Sequence, residues 1–135
     1  MTNPVDVEQP VHSSELTRFT KIVRTEDGGS AFEDGEIALE RRHVTDGVPA
    51  MSVGGVPSSG GVQFVRSAAF DSTAHPAPRE QWVVMLRGTI EVTVSDGGRR
   101  RFGPGDLVLA TDTTGTGHVT TGVGEPPYEA LFIPV

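Results

Sequence analysis

Any chemistry in this chain has to begin from its histidines, because the sequence contains four of them and no cysteine. The lack of cysteine excludes disulfides, thiolate metal sites and thiol nucleophiles. A metal ion would therefore have to take imidazole, carboxylate or amide ligands. The four candidates are His12, His43, His75 and His118.

His75 stands at the start of the stretch HPAPREQWVVMLRG. Proline lacks an amide hydrogen and has a fixed φ, so Pro76 and Pro78 cannot lie inside a helix. The pattern predicts an extended or turn segment that leads into a strand. With a strand period of two, Gln81, Val83 and Met85 would share one face of that strand.

The charge balance excludes two classes of partner. Eighteen acidic and 11 basic residues give a formal net charge of −7, which repels nucleic acid and anionic membranes. The one basic cluster, Arg99, Arg100 and Arg101, follows an SDGG turn, and this position is typical of a solvated hairpin end. We therefore expect neither nucleic acid nor a membrane as a partner.

The first 17 residues are predicted to be a flexible N-terminal arm. They are polar and are interrupted by Pro4 and Pro10. They lack the basic and apolar regions of a signal peptide, and no run in the chain approaches the ~20 apolar residues of a membrane span. The sequence therefore predicts a cytoplasmic protein.

From about Arg18 onward, glycine and proline interrupt short alternating runs, and no helical stripe of useful length is present. In the clearest run, Ile90, Val92 and Val94 alternate with polar residues, and Asp96-Gly97-Gly98 then gives a hairpin turn. At least eight short strands with tight turns favour an all-β closed or double-sheet architecture. The length of 135 residues fits one domain, which we place at residues 18–135.

The second half of the chain resembles a cupin, a small single-domain jelly-roll β-barrel. The first cupin motif is matched by His75 and by Gly88 at its end. The second motif, a Gly followed by Pro-Gly-Asp and later a His, is matched by Gly98, Pro104, Gly105, Asp106 and His118. Gly88, Gly105 and Asp106 are most simply turn residues.

The departures from the cupin motifs concern the metal ligands. Ala77 stands where the family has its second His, Gln81 where it has Glu, and Gly122 where it often has Asn. The resemblance implies that His75, Gln81 and His118 meet inside the barrel as two imidazoles and one amide. Such a set would hold a divalent metal (Fe, Zn, Ni or Mn) less tightly than one with a carboxylate.

One extension of this metal site and one alternative to it stay open. By strand parity, His43 is a candidate fourth ligand. A histidine on a half-buried strand also often serves structure alone, and Gln in place of Glu is what a barrel that has lost its metal would show.

The resemblance implies a small-molecule enzyme of the isomerase, cyclase, lyase or oxygenase class, acting on an apolar or aromatic substrate inside the barrel. His75 and His118 would be the catalytic residues, either as metal ligands or as general bases. Gln81, Val83, Met85 and Thr116 would contact the substrate; Thr116 belongs to the hydroxyl-rich loop DTTGTGH at the predicted barrel mouth. The alternative is a non-catalytic ligand-binding barrel.

A homodimer is expected as well. The strand QWVVMLRG is apolar on both faces, and an apolar outer face needs a cover.

Overall fold

The computed structural model describes residues 15–43, 46–47, 49–56, 60–68 and 73–135. These described residues form β-strands and no helix, so the all-β class predicted from the sequence is confirmed. No helix that could cross a membrane occurs among them. The strands in chain order are β1 (Leu16–Arg24), β2 (Ser30–Ala38), β3 (Glu40–Arg42), β4 (Met51–Val53), β5 (Gln63–Ser67), β6 (Gln81–Arg87), β7 (Thr89–Val94), β8 (Arg99–Phe102), β9 (Leu107–Ala110), β10 (His118–Val123) and β11 (Tyr128–Pro134).

The chain divides into two compact units. The smaller unit takes residues 1–18 and 36–57, and in its described part β3 and β4 form an antiparallel pair. The larger unit takes residues 19–35 and 58–135. The single domain predicted for residues 18–135 stays a prediction, and residues 1–14 of the predicted arm lie outside the described residues.

The larger unit is built on two sheets. One has six strands in the order β2-β1-β9-β6-β11-β5, and the other has three in the order β10-β7-β8. β1 and β9 run parallel, whereas β6 is antiparallel to both of its neighbours, β9 and β11. β6 is therefore an interior strand of its sheet.

The alternation predicted for β7 is confirmed, since Ile90, Val92 and Val94 are all buried in the hydrophobic core. Burying an apolar side chain of this size contributes about 1.5–3 kcal/mol relative to leaving it in water. The predicted hairpin turn is confirmed too, because Val94 N–H donates to the Gly98 carbonyl and Gly98 N–H donates to Asp96 Oδ1 at 2.8 Å. β7 and β8 consequently pair as a hairpin.

The residues interpreted as turn formers take that role. Gly88 and Gly105 have positive φ values of 82° and 93°. Asp106 Oδ2 accepts a 2.8 Å hydrogen bond from Gly103 N–H. These contacts support the interpretation that the glycines and the aspartate of the motif serve the backbone rather than chemistry.

Candidate active site

A cavity of about 450 Å³ lies in the larger unit, beside the inner face of the six-stranded sheet. This volume falls within the range of small-molecule sites in proteins. Its wall is mostly apolar, and its apolar residues include Val65, Ala77, Val83, Met85, Ile90, Ala110, Ala130 and Phe132. The polar side chains that share the wall include those of His75, Gln81, His118 and Thr120.

The two predicted catalytic residues, His75 and His118, meet at this wall. They form an isolated antiparallel bridge in which His75 N–H donates to the His118 carbonyl at 3.1 Å and His118 N–H donates to the His75 carbonyl at 3.0 Å. Their ring centroids are 5.7 Å apart, with 40° between the ring planes. The main chain therefore brings together two histidines that are far apart in the sequence.

Gly117 allows the bridge to form. A Cβ atom at this position would lie 2.0 Å from the His75 carbonyl oxygen, and the φ of Gly117 is +78°. Its carbonyl accepts a 2.6 Å hydrogen bond from the Ser30 hydroxyl, which is fully buried. Only glycine combines this backbone conformation with so close an approach.

A carboxylate that the sequence reasoning missed lies behind His118. Asp112 Oδ2 is 2.6 Å from His118 Nδ1, and the Asp112 side chain has no solvent exposure, against 11% for His118. The Asp112 main-chain carbonyl accepts a hydrogen bond from Ala77 N–H, which ties the loop to the segment after His75. The other carboxylate oxygen, Oδ1, is buried without a hydrogen-bond partner in the described part of the chain.

Both imidazoles use Nδ1 for a bond within the protein. A carbonyl oxygen can only accept, so the 3.0 Å contact between His75 Nδ1 and the Thr73 carbonyl oxygen requires a proton on that nitrogen. A carboxylate likewise accepts from His118 Nδ1. In the neutral form of each ring, Nε2 is then the nitrogen with a free lone pair.

Gln81 lies where the strand period placed it. Gln81, Val83 and Met85 all line the cavity, and Gln81 is only 4% exposed. It pairs with Ala110 on one side and Pro134 on the other, which fixes its backbone. The Gln81 side chain makes no hydrogen bond with any residue that the structure describes, so its amide faces the cavity unpaired.

The other predicted positions lie elsewhere. Thr116 is not among the residues that line the cavity, because its loop turns outward: the side chain is exposed and Thr116 N–H donates to the Gly28 carbonyl at 2.8 Å. Thr120, two residues after His118 on β10, contributes a hydroxyl to the wall. His43 is exposed and follows β3 in the smaller unit, and His12 is outside the described residues.

Gly122 makes room for an aromatic ring. A Cβ atom there would lie 2.3 Å from Cζ and Oη of Tyr128, whose ring is buried in the core and lines the cavity. The Tyr128 hydroxyl donates to the Gly124 carbonyl at 2.8 Å. Gly122 therefore leaves the space that the Tyr128 ring occupies.

The two imidazoles fit a divalent metal, but no third His or carboxylate in the described residues is placed to join them as a ligand. Two imidazoles that bind one tetrahedral ion at about 2.1 Å have ring centroids roughly 5 Å apart, close to the separation of His75 and His118. No group of three or more His, Cys, Asp or Glu residues is placed to hold a metal among the described residues. The third protein ligand would consequently be the neutral amide of Gln81.

The formal charges around the cavity are paired. Arg66 Nε and Glu129 Oε2, from two residues that contribute to the cavity lining, form a 2.7 Å ion pair. The Asp112 carboxylate is hydrogen-bonded to His118. Among the residues that the structure describes, the polar groups left for a ligand include the two Nε2 atoms, the Gln81 amide and the Thr120 hydroxyl, on a wall that is otherwise mostly apolar.

Comparisons with known proteins found no family model that matches the chain and no match among curated proteins. The cupin resemblance rests on the two motifs and stays a prediction.

Proposed function

We propose that this chain is a small-molecule enzyme of the cupin type, a jelly-roll barrel that takes an apolar or aromatic organic substrate into its cavity. The observation that carries the proposal is the arrangement of two imidazoles on an apolar wall, each with Nδ1 engaged and Nε2 left over. The reaction class is proton transfer at a carbon next to a carbonyl group, as in an isomerase, cyclase or lyase.

In this mechanism His118 or His75 takes a proton on Nε2 from the substrate carbon. The electron pair of the broken C–H bond forms a C=C bond, and the carbonyl π pair moves to oxygen. The Gln81 N–H donates to the developing oxyanion, and the imidazolium returns the proton to the same or another carbon. Donors aimed at a developing charge in an apolar cavity are worth more than in water, because little water competes for the oxyanion.

Gln81 supports an enzyme over a plain binding barrel. In a non-catalytic barrel that has lost its metal, we expect the polar atoms of the cavity to be paired within the protein. The Gln81 amide is nearly buried and makes no hydrogen bond with the residues that the structure describes, which leaves it for a ligand oxygen. A carboxylate at this position would repel an oxyanion, whereas an amide stabilises it.

A divalent metal is the second form of the proposal, since both Nε2 atoms suit iron, zinc, nickel or manganese. His75, His118 and Gln81 would hold it, and when bound it would polarise the carbonyl or enolate oxygen as a Lewis acid. Gln81 would then bind the ion through its carbonyl oxygen rather than donate to the oxyanion.

Two measurements test the proposal. Elemental mass spectrometry on untagged protein purified without chelator shows whether a metal is bound. The same measurement is made on His75→Ala, on His118→Ala and on the control His43→Ala. Near-stoichiometric metal that is lost in the first two variants only would support the metal form; protein without metal after incubation with excess ions would refute it.

Proton transfer itself is tested by hydrogen exchange in deuterium oxide. Aryl ketones are incubated with protein before and after chelator treatment, and loss of the proton signal next to the carbonyl is followed by NMR. Faster exchange than in buffer is expected, and it should be abolished by His118→Ala or by His75→Ala, whichever residue is the base. Exchange at the buffer rate in both states would refute the proposed chemistry.

We propose a cytoplasmic homodimer as the working form of the enzyme. On the sheet face opposite the cavity, Leu131 pairs with Phe64 on one side and with Val84 on the other, and Val84 pairs with Leu107. This row is wholly apolar, and Phe64 is 56% exposed. Sheets with two apolar faces are normally covered on both. A monomer mass that is independent of concentration in sedimentation would refute the dimer.

A further inference from the structure

We infer that Asp112 is a positioning residue that holds His118 in its Nδ1–H tautomer, and that the cavity therefore selects small apolar ligands carrying a hydrogen-bond donor. This inference rests on the proposed function of the cavity as a small-molecule site and names the chemistry of its ligand.

The burial of Asp112 is the first step. The side chain has no exposure, and its single hydrogen bond in the described part of the chain goes to His118 Nδ1. Leaving a carboxylate in an apolar interior without a partner costs several kcal/mol or more, so the carboxylate strongly favours a proton on the facing nitrogen. Charge-assisted bonds of this kind are roughly twice as strong as neutral ones.

His118 and His75 differ in how firmly the tautomer is set. The partner of His118 is a charged carboxylate in the interior, whereas the partner of His75 is the carbonyl of Thr73 next to an exposed ring. A carbonyl bond that competes with water holds a tautomer less firmly. His118 is therefore the imidazole whose Nε2 is more firmly held as a hydrogen-bond acceptor.

The ligand chemistry follows from what the fixed tautomer presents. In the neutral ring, Nε2 of His118 accepts and does not donate, and the wall around it is mostly apolar. A ligand hydroxyl or N–H can bond to this nitrogen, whereas an ether or a carboxylate at the same place cannot. An anionic ligand is further disfavoured by the Asp112 carboxylate behind the ring and by the net charge of −7. A neutral aromatic alcohol or enol fits these conditions.

Long-range proton–nitrogen NMR tests the tautomer directly. In the wild-type protein, the neutral ring of His118 should carry its proton on Nδ1 and leave Nε2 unprotonated. Asp112→Asn should return the ring to an equilibrium between tautomers. The matched control Asp106→Asn changes an exposed carboxylate that only caps a turn and should leave the spectrum of His118 unchanged. A neutral ring with its proton on Nε2 in the wild-type protein would overturn the inference without any variant.

A pair of matched ligands tests the selectivity. A naphthol and its methyl ether have nearly the same shape, and only the naphthol can donate. Wild-type protein and Asp106→Asn should bind the naphthol about tenfold more tightly, as expected for one hydrogen bond of about 1.4 kcal/mol. Asp112→Asn should reduce this preference to less than about threefold, because only part of its imidazole then presents an acceptor.

Equal affinities in the wild-type protein, binding of neither probe, or an unchanged preference in Asp112→Asn would each overturn the inference. Neither measurement requires turnover. A protein with the expected tautomer and preference but no hydrogen exchange would refute the proposed proton transfer and leave the ligand class standing.

Discussion

Gly117→Ala should separate the two imidazoles and destabilise the protein by more than its backbone conformation alone requires. Placing an L side chain in the left-handed region costs about 1–2 kcal/mol. The added Cβ would also lie 2.0 Å from the His75 carbonyl oxygen, which belongs to backbone and cannot rotate away. The two His75–His118 hydrogen bonds would be lost at about 1 kcal/mol each. Together with the conformational cost, the loss of stability would total about 3–4 kcal/mol.

Gly105→Ala is the matched control for this experiment. Its φ is +93°, and an added Cβ would meet nothing within 4 Å. This variant should lose about 1–2 kcal/mol from the conformation alone. The entropy that alanine removes from the unfolded chain is common to both variants, so it cancels in their difference.

Equilibrium urea unfolding of both variants gives the comparison, provided that the slopes agree. The expected difference is about 2 kcal/mol, the worth of the two backbone hydrogen bonds. Equal losses of stability in the two variants would refute the reasoning, because they would show that the close approach of Gly117 to His75 contributes nothing.

Three further predictions concern the ligand set, the core and acid stability. Gln81→Glu should tighten zinc or manganese binding at least about tenfold in calorimetric titration, because a carboxylate replaces a neutral ligand; unchanged affinity would exclude Gln81 as a ligand. Met85→Ala should lower the free energy of unfolding by about 2–5 kcal/mol, whereas Leu86→Ala, at an exposed position of the same strand, should cost well under half of that. The pKa of Asp27 is lowered from 3.8, chiefly by the hydrogen bond from the Thr25 side chain and then by the one from Gly29 N–H. The stability that this carboxylate contributes is therefore fully present above pH 3.8 and is lost as the pH falls through the lower pKa of the folded state. Asp27→Asn should therefore lower the urea midpoint slightly at about pH 6 and leave it close to that of the wild-type protein at the acid end; an equal shift at both ends would contradict the linkage.

Strand parity explains how much of the site could be predicted from the sequence. A period of two fixes which residues of a strand share a face, and Gln81, Val83 and Met85 do line the cavity together. The buried row of β7 follows for the same reason. His75 and His118 could be paired only through the spacing of the motifs, because nothing local indicates that they bridge.

The placement of Asp112 and Thr116 is harder to predict, because both lie in a loop that is polar and rich in hydroxyl groups. Such a loop predicts solvated side chains, yet the Asp112 side chain is fully buried while Thr116 points away. The loop that carries Asp112 is held by the Ala77 N–H from another segment and approaches His75 closely at Gly117, and no periodicity reveals either contact. The signal that was available is the position of a carboxylate six residues before the histidine.

The bridge between His75 and His118 is made of main-chain atoms alone. Every L-amino acid except proline can supply those atoms, so the positions of the two side chains do not depend on their being histidines. Position 75 can therefore accept other side chains within a fixed frame, whereas the side chain at position 118 must also donate a hydrogen bond to the buried Asp112 carboxylate. Carboxylates, amides or thiols could replace His75, and the chain offers a scaffold for installing new chemistry at that position without redesigning the fold around it.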